Sequence, residues 1–169
     1  AFDRDPENLL FARQGRFRLP AEFVRDTILS TAGILNPAIG GPSVRPPQPQ
    51  SVIKEAFGSH PWQESRGEDR YRRAVYTFIL RTTPYSLTAT FDAPSPQEPC
   101  ARRDRSNTPL QALTLLNDPA FFEMAQALAQ RVLAGPAASD RERLVRAFRL
   151  CLGRQPLAEE VDQLEKYLQ

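Results

Sequence analysis

The sequence has very few residues of the kinds that metal and redox sites depend on. It has one histidine, His60, and two cysteines among 169 residues. A catalytic zinc site usually takes several histidine or cysteine ligands, and a hydrolytic triad needs a histidine beside its nucleophile. His60 lies in a polar loop next to Pro61 and Trp62, where we expect a surface or packing role. We therefore expect no bound metal and no cofactor in this chain.

Two further absences narrow the function. No Cys-x-x-Cys-His motif occurs, so the chain has no attachment site for a covalent c-type haem. No run approaches the roughly 20 apolar residues that a membrane-spanning helix requires, and the mean hydropathy is −0.46.

Lysine is nearly absent, since Lys54 and Lys166 are the only two among 22 basic residues. Basic and acidic residues nearly cancel, 22 against 20, which argues against nucleic acid as a partner.

The composition is that of one folded domain. A chain of 169 residues with 41% hydrophobic side chains is long enough to bury a core without disulfides. We predict a single helical domain over 1–169, which we expect to be a fragment of a larger multidomain protein. Cys100 and Cys151 can pair or remain separate, and we favour two separate thiols.

Proline divides the chain. Half of the 16 prolines fall in two stretches, 36–50 and 93–100, and each proline removes an amide donor and favours an extended conformation of the residue before it. These stretches are predicted to be irregular loops. The apolar spacing predicts one helix over 20–35 and a second over 69–81, although the aromatic and β-branched content of the second also allows a strand.

The C-terminal half predicts four helices in succession. Thr108 and Pro109 form a typical helix start, with Gln111 completing a capping box, and Leu110, Leu113 and Leu115 or Leu116 provide the apolar face. The later starts and stops are Asp118-Pro119, Gly135-Pro136, Ser139-Asp140 and Gly153, followed by a last helix from Leu157 to Leu168. The predicted fold is all-α: an irregular helical bundle with long proline-rich loops and about four antiparallel helices in this half.

One polar region is a candidate site. It combines arginines with acidic and amide side chains just before a helix start, an arrangement that can bind an anion. The alternative, which we favour, is that the guanidinium groups pair with Asp92, Asp104, Glu68 or carbonyl groups and hold the loops in place. The candidate ligand or interaction residues are Arg73, Asp92, Arg103, Arg105, Asn107, Gln111 and Asp118. We predict no catalytic residue and no metal ligand.

Several strings of the sequence resemble a known family. The most specific is Asn107-Thr108-Pro109-Leu110-Gln111-Ala112-Leu113, and the others are 18–26, 40–43, 71–78, 89–94, 115–119, 147–150 and 153–154. They are similar to the C-terminal portion of the domain of unknown function fifteen-fifty-three, also called PSD-one. That family is found in surface proteins of planctomycetes and related bacteria.

The resemblance implies a setting more than an activity. Domains of this family occur late in large exported proteins, behind a companion domain and a c-type cytochrome module. We therefore expect an exported structural or interaction module, at the cell surface or in the periplasm, whose partners are other domains of its parent protein, including a cytochrome module. The alternative is a domain that binds or hydrolyses extracellular polysaccharide with the cluster from Asp92 to Asp118. We favour a function without catalysis.

Overall fold

The computed structural model describes residues 3–13, 15, 17–56 and 62–168, and the described part of the chain is helical, with no strand. His60 lies outside these residues. The helices are α1 (Ala21–Ala32), α2 (Gln50–Ala56), α3 (Ser86–Thr90), α4 (Pro109–Asn117), α5 (Pro119–Leu133), α6 (Asp140–Leu152) and α7 (Ala158–Leu168), with 3-10 turns at Gly67–Tyr71 and Ala74–Tyr76. The predicted all-α class is confirmed.

The four predicted C-terminal helices are α4 to α7, and their starts are those that the sequence indicates. The Thr108 hydroxyl accepts a hydrogen bond from the Gln111 amide, while the Gln111 side chain accepts one from the Thr108 amide. Asp118 alone separates α4 from α5 and accepts from the Ala120 amide at 2.8 Å. The Ser139 hydroxyl caps α6, which ends at Gly153 with φ 66°. Each start is set by groups within four residues of one another.

Helix α1 ends three residues before the predicted boundary. Gly33 takes a φ of 80° and its amide donates to the carbonyls of Leu29 and Ser30, which closes the helix in a left-handed turn. The Arg131 side chain, from α5, donates to the carbonyls of Ser30 and Thr31 at 3.1 and 2.5 Å. A Cβ at position 33 would lie only 3.0 Å from that side chain. Glycine suits both the left-handed turn and the close approach of the Arg131 side chain.

The predicted helix over 69–81 is wrong. The segment forms the two short 3-10 turns and runs beside the first proline-rich loop. The Asn36 amide donates to the Tyr71 carbonyl at 3.0 Å, and the Val44 amide donates to the Tyr76 carbonyl at 2.8 Å. Because these carbonyls accept hydrogen bonds from amides of the loop, they do not accept the i to i+4 hydrogen bonds of a continuous helix.

The main core lies between α1, α3 and α5. Leu29, Tyr85, Leu87 and Phe121 are among its buried side chains. Trp62 stacks on Tyr85 with 6.0 Å between ring centroids. The Trp62 indole and the Tyr85 hydroxyl donate to the carbonyls of Pro46 and Pro47 at 2.8 and 2.9 Å. The first proline-rich loop is thus attached to the core through two aromatic side chains.

The predicted apolar face of α4 is turned outward. Leu110, Leu113 and Leu116 are 62%, 55% and 76% exposed, and Leu115 is exposed as well. The side chain of α4 that is buried is Gln111. The helix therefore packs on its neighbours through a polar residue, which the spacing of the leucines does not indicate.

Helices α6 and α7 contribute little to the core. No residue of α6 is fully buried, and in the described part of α7 only Val161 is. The described residues include no helix long and apolar enough to cross a membrane. Cys100 and Cys151 are both exposed and free, so the thiols are separate as expected, but neither is a buried packing residue.

Candidate functional site

The candidate region is organised around Asp92, at the end of α3. Asp92 has a φ of 63°, and the Ala93 amide donates to the Thr88 carbonyl at 2.9 Å, which closes the helix as a glycine commonly does. The Asp92 carboxylate accepts from the Ser106 amide at 2.6 Å and from its hydroxyl at 2.8 Å. Asp92 thereby joins the end of α3 to the segment that leads into α4.

Gln111 completes this connection from α4, where its side chain is 1% exposed. Its amide nitrogen donates to the Thr90 carbonyl at 3.0 Å, to the Ser106 hydroxyl at 3.1 Å and to Asp92 at 3.3 Å. Its oxygen accepts from the Thr108 amide at 3.3 Å and from the Arg18 guanidinium at 2.6 Å. One buried amide thus satisfies groups from three separate segments, which is the pattern of a structural junction.

The hydrogen bonds also determine the charge of Asp92. Donation from the Ser106 amide, opposed by partial burial, lowers the pKa of the carboxyl, with further donation from the Ser106 hydroxyl and Gln111. Asp92 is therefore an anion at neutral pH whose oxygens already have donors. Such a group is unsuited to acting as a general acid, which needs a raised pKa.

The candidate arginines do not pair as expected. Arg103 forms an ion pair with Glu22 at 2.8 Å, and the Arg105 guanidinium lies 5.9 Å from the centre of the Phe17 ring. Asn107 is exposed and accepts from Arg18 at 3.1 Å. None of the ion pairs of the described residues joins these arginines to Asp92, Asp104 or Glu68. The arginines therefore do not take the expected carboxylates as partners, but Arg103 holds its loop to α1 through Glu22. The other expected partners, carbonyl groups of the loops, are found for Arg72 and Arg81, which donate to the carbonyls of Pro42 and Pro96 at 2.9 and 3.3 Å.

Arg73 and Asp118 make their contacts outside the Asp92 cluster. The Arg73 guanidinium lies 5.8 Å from the Tyr76 ring centre. Asp118 is buried, caps α5 and accepts from the Ala120 amide. Burial raises the pKa of Asp118, against the lowering effect of the backbone donors. Of the seven candidates, Asp92 and Gln111 contact each other, and Asn107 is linked to Gln111 through Arg18.

Two members of this cluster were not predicted, Arg18 and Ser106. Ser106 directly precedes Asn107 and Thr108, so its position before the capping box was a signal that could have identified it. Arg18 is 93 residues from Gln111 in the sequence, and no local pattern indicates that contact.

A second polar cluster joins the first 3-10 turn to α5. Arg70 donates to Glu123 at 2.8 and 2.9 Å and to Glu64 at 2.6 Å, while the Tyr71 hydroxyl donates to Glu123 at 2.5 Å. Burial alone would raise the pKa of Glu123, but the donors Arg70 and Tyr71 lower it overall. Arg25, 1% exposed, donates to the carbonyls of Arg72 and Arg70 at 2.7 and 3.0 Å. Each of these groups has a structural partner.

The described residues also form several concave surfaces. An open cavity of about 590 Å³ lies between Asp92 and the loop 93–104, and a cavity of about 670 Å³ is lined by the four residues 102–105. An apolar groove of about 360 Å³ lies between α5, α6 and α7, and its lining includes Ala125, Ala129, Leu144, Ala147 and Leu168. In the described part of the chain, no group of three histidine, cysteine or acidic residues is placed to hold a metal ion.

Comparison with known proteins gives one match. The model of the family PSD1, a protein of unknown function (DUF1553), matches residues 1–168. No curated protein and no solved structure matches. The matched segment includes the capping box at Thr108, the Asp92–Ser106–Gln111 junction and the groove between α5, α6 and α7. The chain therefore belongs to the PSD1 family.

Proposed function

We propose that this chain is a helical interaction module of a larger exported protein, of a planctomycete or related bacterium, and that it binds other domains of that protein. The sequence resemblance supports export and a neighbouring c-type cytochrome module. It also supports a partner within the same polypeptide. The module's role is then to hold that partner, with no chemistry of its own.

The groove between α5, α6 and α7 is the observation that carries this proposal. Its wall contains the small side chains Ala125, Ala129 and Ala147, together with Leu144 and Leu168. Small side chains allow a second helix to approach closely, while leucines supply apolar area to bury. The partner that fits is an amphipathic helix of a neighbouring domain, which would lay its apolar side into the groove.

The state of the Asp92 cluster favours this function over a hydrolase. A site acting on a polysaccharide would leave its carboxylate free to face the substrate. Asp92 instead accepts hydrogen bonds from Ser106 and Gln111, and the Gln111 side chain is itself buried. The cluster joins α3 to α4, and its carboxylate, Asp92, is already hydrogen-bonded and is not free to act as an acid or a base.

Binding to the parent protein's other domains tests the proposal. Ala129 lines the groove, whereas Gln130, also exposed on α5, is not among the residues that line it. Ala129→Glu and Gln130→Glu each add one negative charge to the same helix. We expect Ala129→Glu to weaken capture of the neighbouring domains at least tenfold, and Gln130→Glu to leave it within about twofold.

Circular dichroism and thermal melts of both variants show whether the fold is preserved. If Ala129→Glu folds normally and captures the neighbouring domains as well as the unaltered chain does, the groove is not the interface. If the unaltered chain captures none of those domains, the proposed function is wrong.

A further inference from the structure

Two arginines of the loop 102–105 have no acidic partner. Arg103 is paired with Glu22, but Arg102 and Arg105 take part in none of the ion pairs found among the described residues. Both are exposed. Asp104 lies between Arg103 and Arg105 and is the one acidic residue of this four-residue loop. The loop has three arginine charges, of which Asp104 offsets one and Glu22 another, so about one positive charge is left without a counterpart among the described residues.

Residues 102–105 also line a concave surface. Among the described residues, these four line an open cavity of about 670 Å³, a volume that could hold about twenty water molecules. Two of its walls are held in place, because Arg103 bonds to Glu22 on α1 and Arg105 lies against the Phe17 ring. Positions that are fixed in advance lose less conformational entropy when a ligand binds.

We propose that this arginine loop binds sulfate or phosphate monoester groups, in preference to the phosphodiesters of nucleic acid. A guanidinium presents its N–H donors as a planar fork that matches two oxygens of such a group. Arg102 and Arg105 can each bind one charged group through the guanidinium fork, while the Asp104 carboxylate in the same lining opposes a densely charged ligand. The loop therefore favours one or two ester groups over a highly charged polyanion. The cavity is much larger than one oxyanion, so it also accommodates the sugar that carries the ester. The site does not involve the groove between α5, α6 and α7 and does not depend on the proposed function.

Binding measurements with defined probes test the loop. Sodium sulfate and inorganic phosphate represent the free anion, and dextran sulfate represents esters on a polymer, with neutral dextran as the comparison. We expect dextran sulfate to bind and neutral dextran not to bind, with an affinity that falls as salt is added. If sulfate or phosphate binds as tightly as dextran sulfate does, with the polymer's affinity expressed per sulfate group, the ligand is the free oxyanion. Tighter binding of the polymer would identify polymer-borne esters.

Matched double variants locate the site. Arg102→Ala with Arg105→Ala should weaken dextran sulfate binding at least tenfold, equivalent to about 1.4 kcal/mol. The control, Arg66→Ala with Arg149→Ala, removes two exposed arginines elsewhere and should change binding by less than about twofold. Replacing Arg102 and Arg105 by lysine keeps the charge and removes the fork, so intermediate binding is expected.

Three results would overturn the proposal. One is the absence of binding to every charged probe, and another is equal weakening in the two double alanine variants. The third is binding of duplex DNA as tightly as dextran sulfate, which would indicate a general attraction to polyanions. Both double alanine variants replace exposed side chains only, so we expect them to fold normally. Thermal melts check that each variant is folded.

Discussion

Gln111 shows how much of this structure depends on a single buried amide. Its side chain bonds to the Thr90 carbonyl, the Ser106 hydroxyl, the Thr108 amide and Arg18. When such a residue is removed, the cost includes the partners that are left without hydrogen bonds.

We expect Gln111→Ala to lower the free energy of unfolding by about 2–3 kcal/mol, measured by urea denaturation, since several partly buried partners lose their bonds to a buried side chain. Gln126→Ala, at an exposed position of α5, is the control and should cost less than about 0.5 kcal/mol. A loss at Gln111 as small as that of the control would mean that the junction contributes nothing to stability.

Thr108 and Asn107 are neighbours with different expected effects. Thr108→Ala removes the side-chain acceptor that caps α4 and should cost about 1 kcal/mol. Asn107 is exposed and its side chain has one bond, from Arg18 at 3.1 Å, so Asn107→Ala should cost less than about 0.5 kcal/mol. Thermal melts of the two variants compare them directly, and equal losses would contradict the capping role.

Asp118 can be tested through pH. Burial raises the pKa of this carboxyl in the folded state, so the charged form is less favourable there than in the unfolded chain, where the pKa is about 3.9. Its ionisation therefore reduces stability as the pH rises above about 4, through the folded-state pKa.

Asp118→Asn keeps an acceptor for the Ala120 amide and removes the charge. We expect this variant to match or exceed the unaltered chain in stability at pH 7, and to lose that advantage below about pH 4. Asp118→Ala should instead cost about 1 kcal/mol, because the cap is lost. Urea denaturation at pH 3.5 and pH 7 checks both expectations, and an Asn variant as unstable as the Ala variant at pH 7 would contradict them.

At the scale of elements, one arginine holds the first proline-rich loop against the segment 72–77. The buried Arg72 guanidinium donates to the Pro42 carbonyl at 2.9 Å and to the Gly40 carbonyl, and it lies 4.0 Å from the Tyr76 ring centre. Gly41 has a φ of 88°, and a Cβ there would lie 3.4 Å from this guanidinium. The loop is therefore ordered by side-chain bonds to its carbonyl groups.

Arg72→Ala should expose the loop 36–48 to proteolysis, because its carbonyls lose their buried donor. Limited digestion followed by mass spectrometry locates the cleavage, which we expect to be at least tenfold faster than in the unaltered chain. Arg66→Ala, at an exposed position, is the control. Cleavage at equal rates in the two variants would show that Arg72 does not hold the loop.

At the scale of the whole molecule, stability is distributed unevenly. The principal core is made by α1, α3, α5 and neighbouring loops, while α6 and α7 contribute one fully buried residue, Val161. Elements with few buried apolar contacts open at lower free energy than the core does.

Hydrogen exchange measured by mass spectrometry should therefore show α6 and α7 exchanging at a lower free energy of opening than α1 and α5. Val161→Ala should increase exchange in α6 and α7 and leave α1 unchanged, since its cavity lies outside the principal core. Uniform exchange across the chain would contradict this distribution. Bound neighbouring domains should slow the exchange of α6 and α7, if the groove is their interface.

The sequence by itself determined the helical class, the irregular first proline-rich loop and the starts of the four C-terminal helices. These features depend on groups close together in the chain, such as Thr108 with Gln111 or Ser139 with Glu142, and local spacing reveals them. The exact strings also indicated the PSD1 family, which the match over residues 1–168 confirms.

Only the tertiary structure decided which face of α4 is buried, how the segment 69–81 folds and which partners the arginines take. Arg18 meets Gln111 across 93 residues, and Arg103 meets Glu22 across 81. The carbonyls of Tyr71 and Tyr76 accept from the first proline-rich loop instead of forming a helix. These outcomes depend on which distant segments pack together, because a polar group takes the partner that the folded chain brings within hydrogen-bond distance.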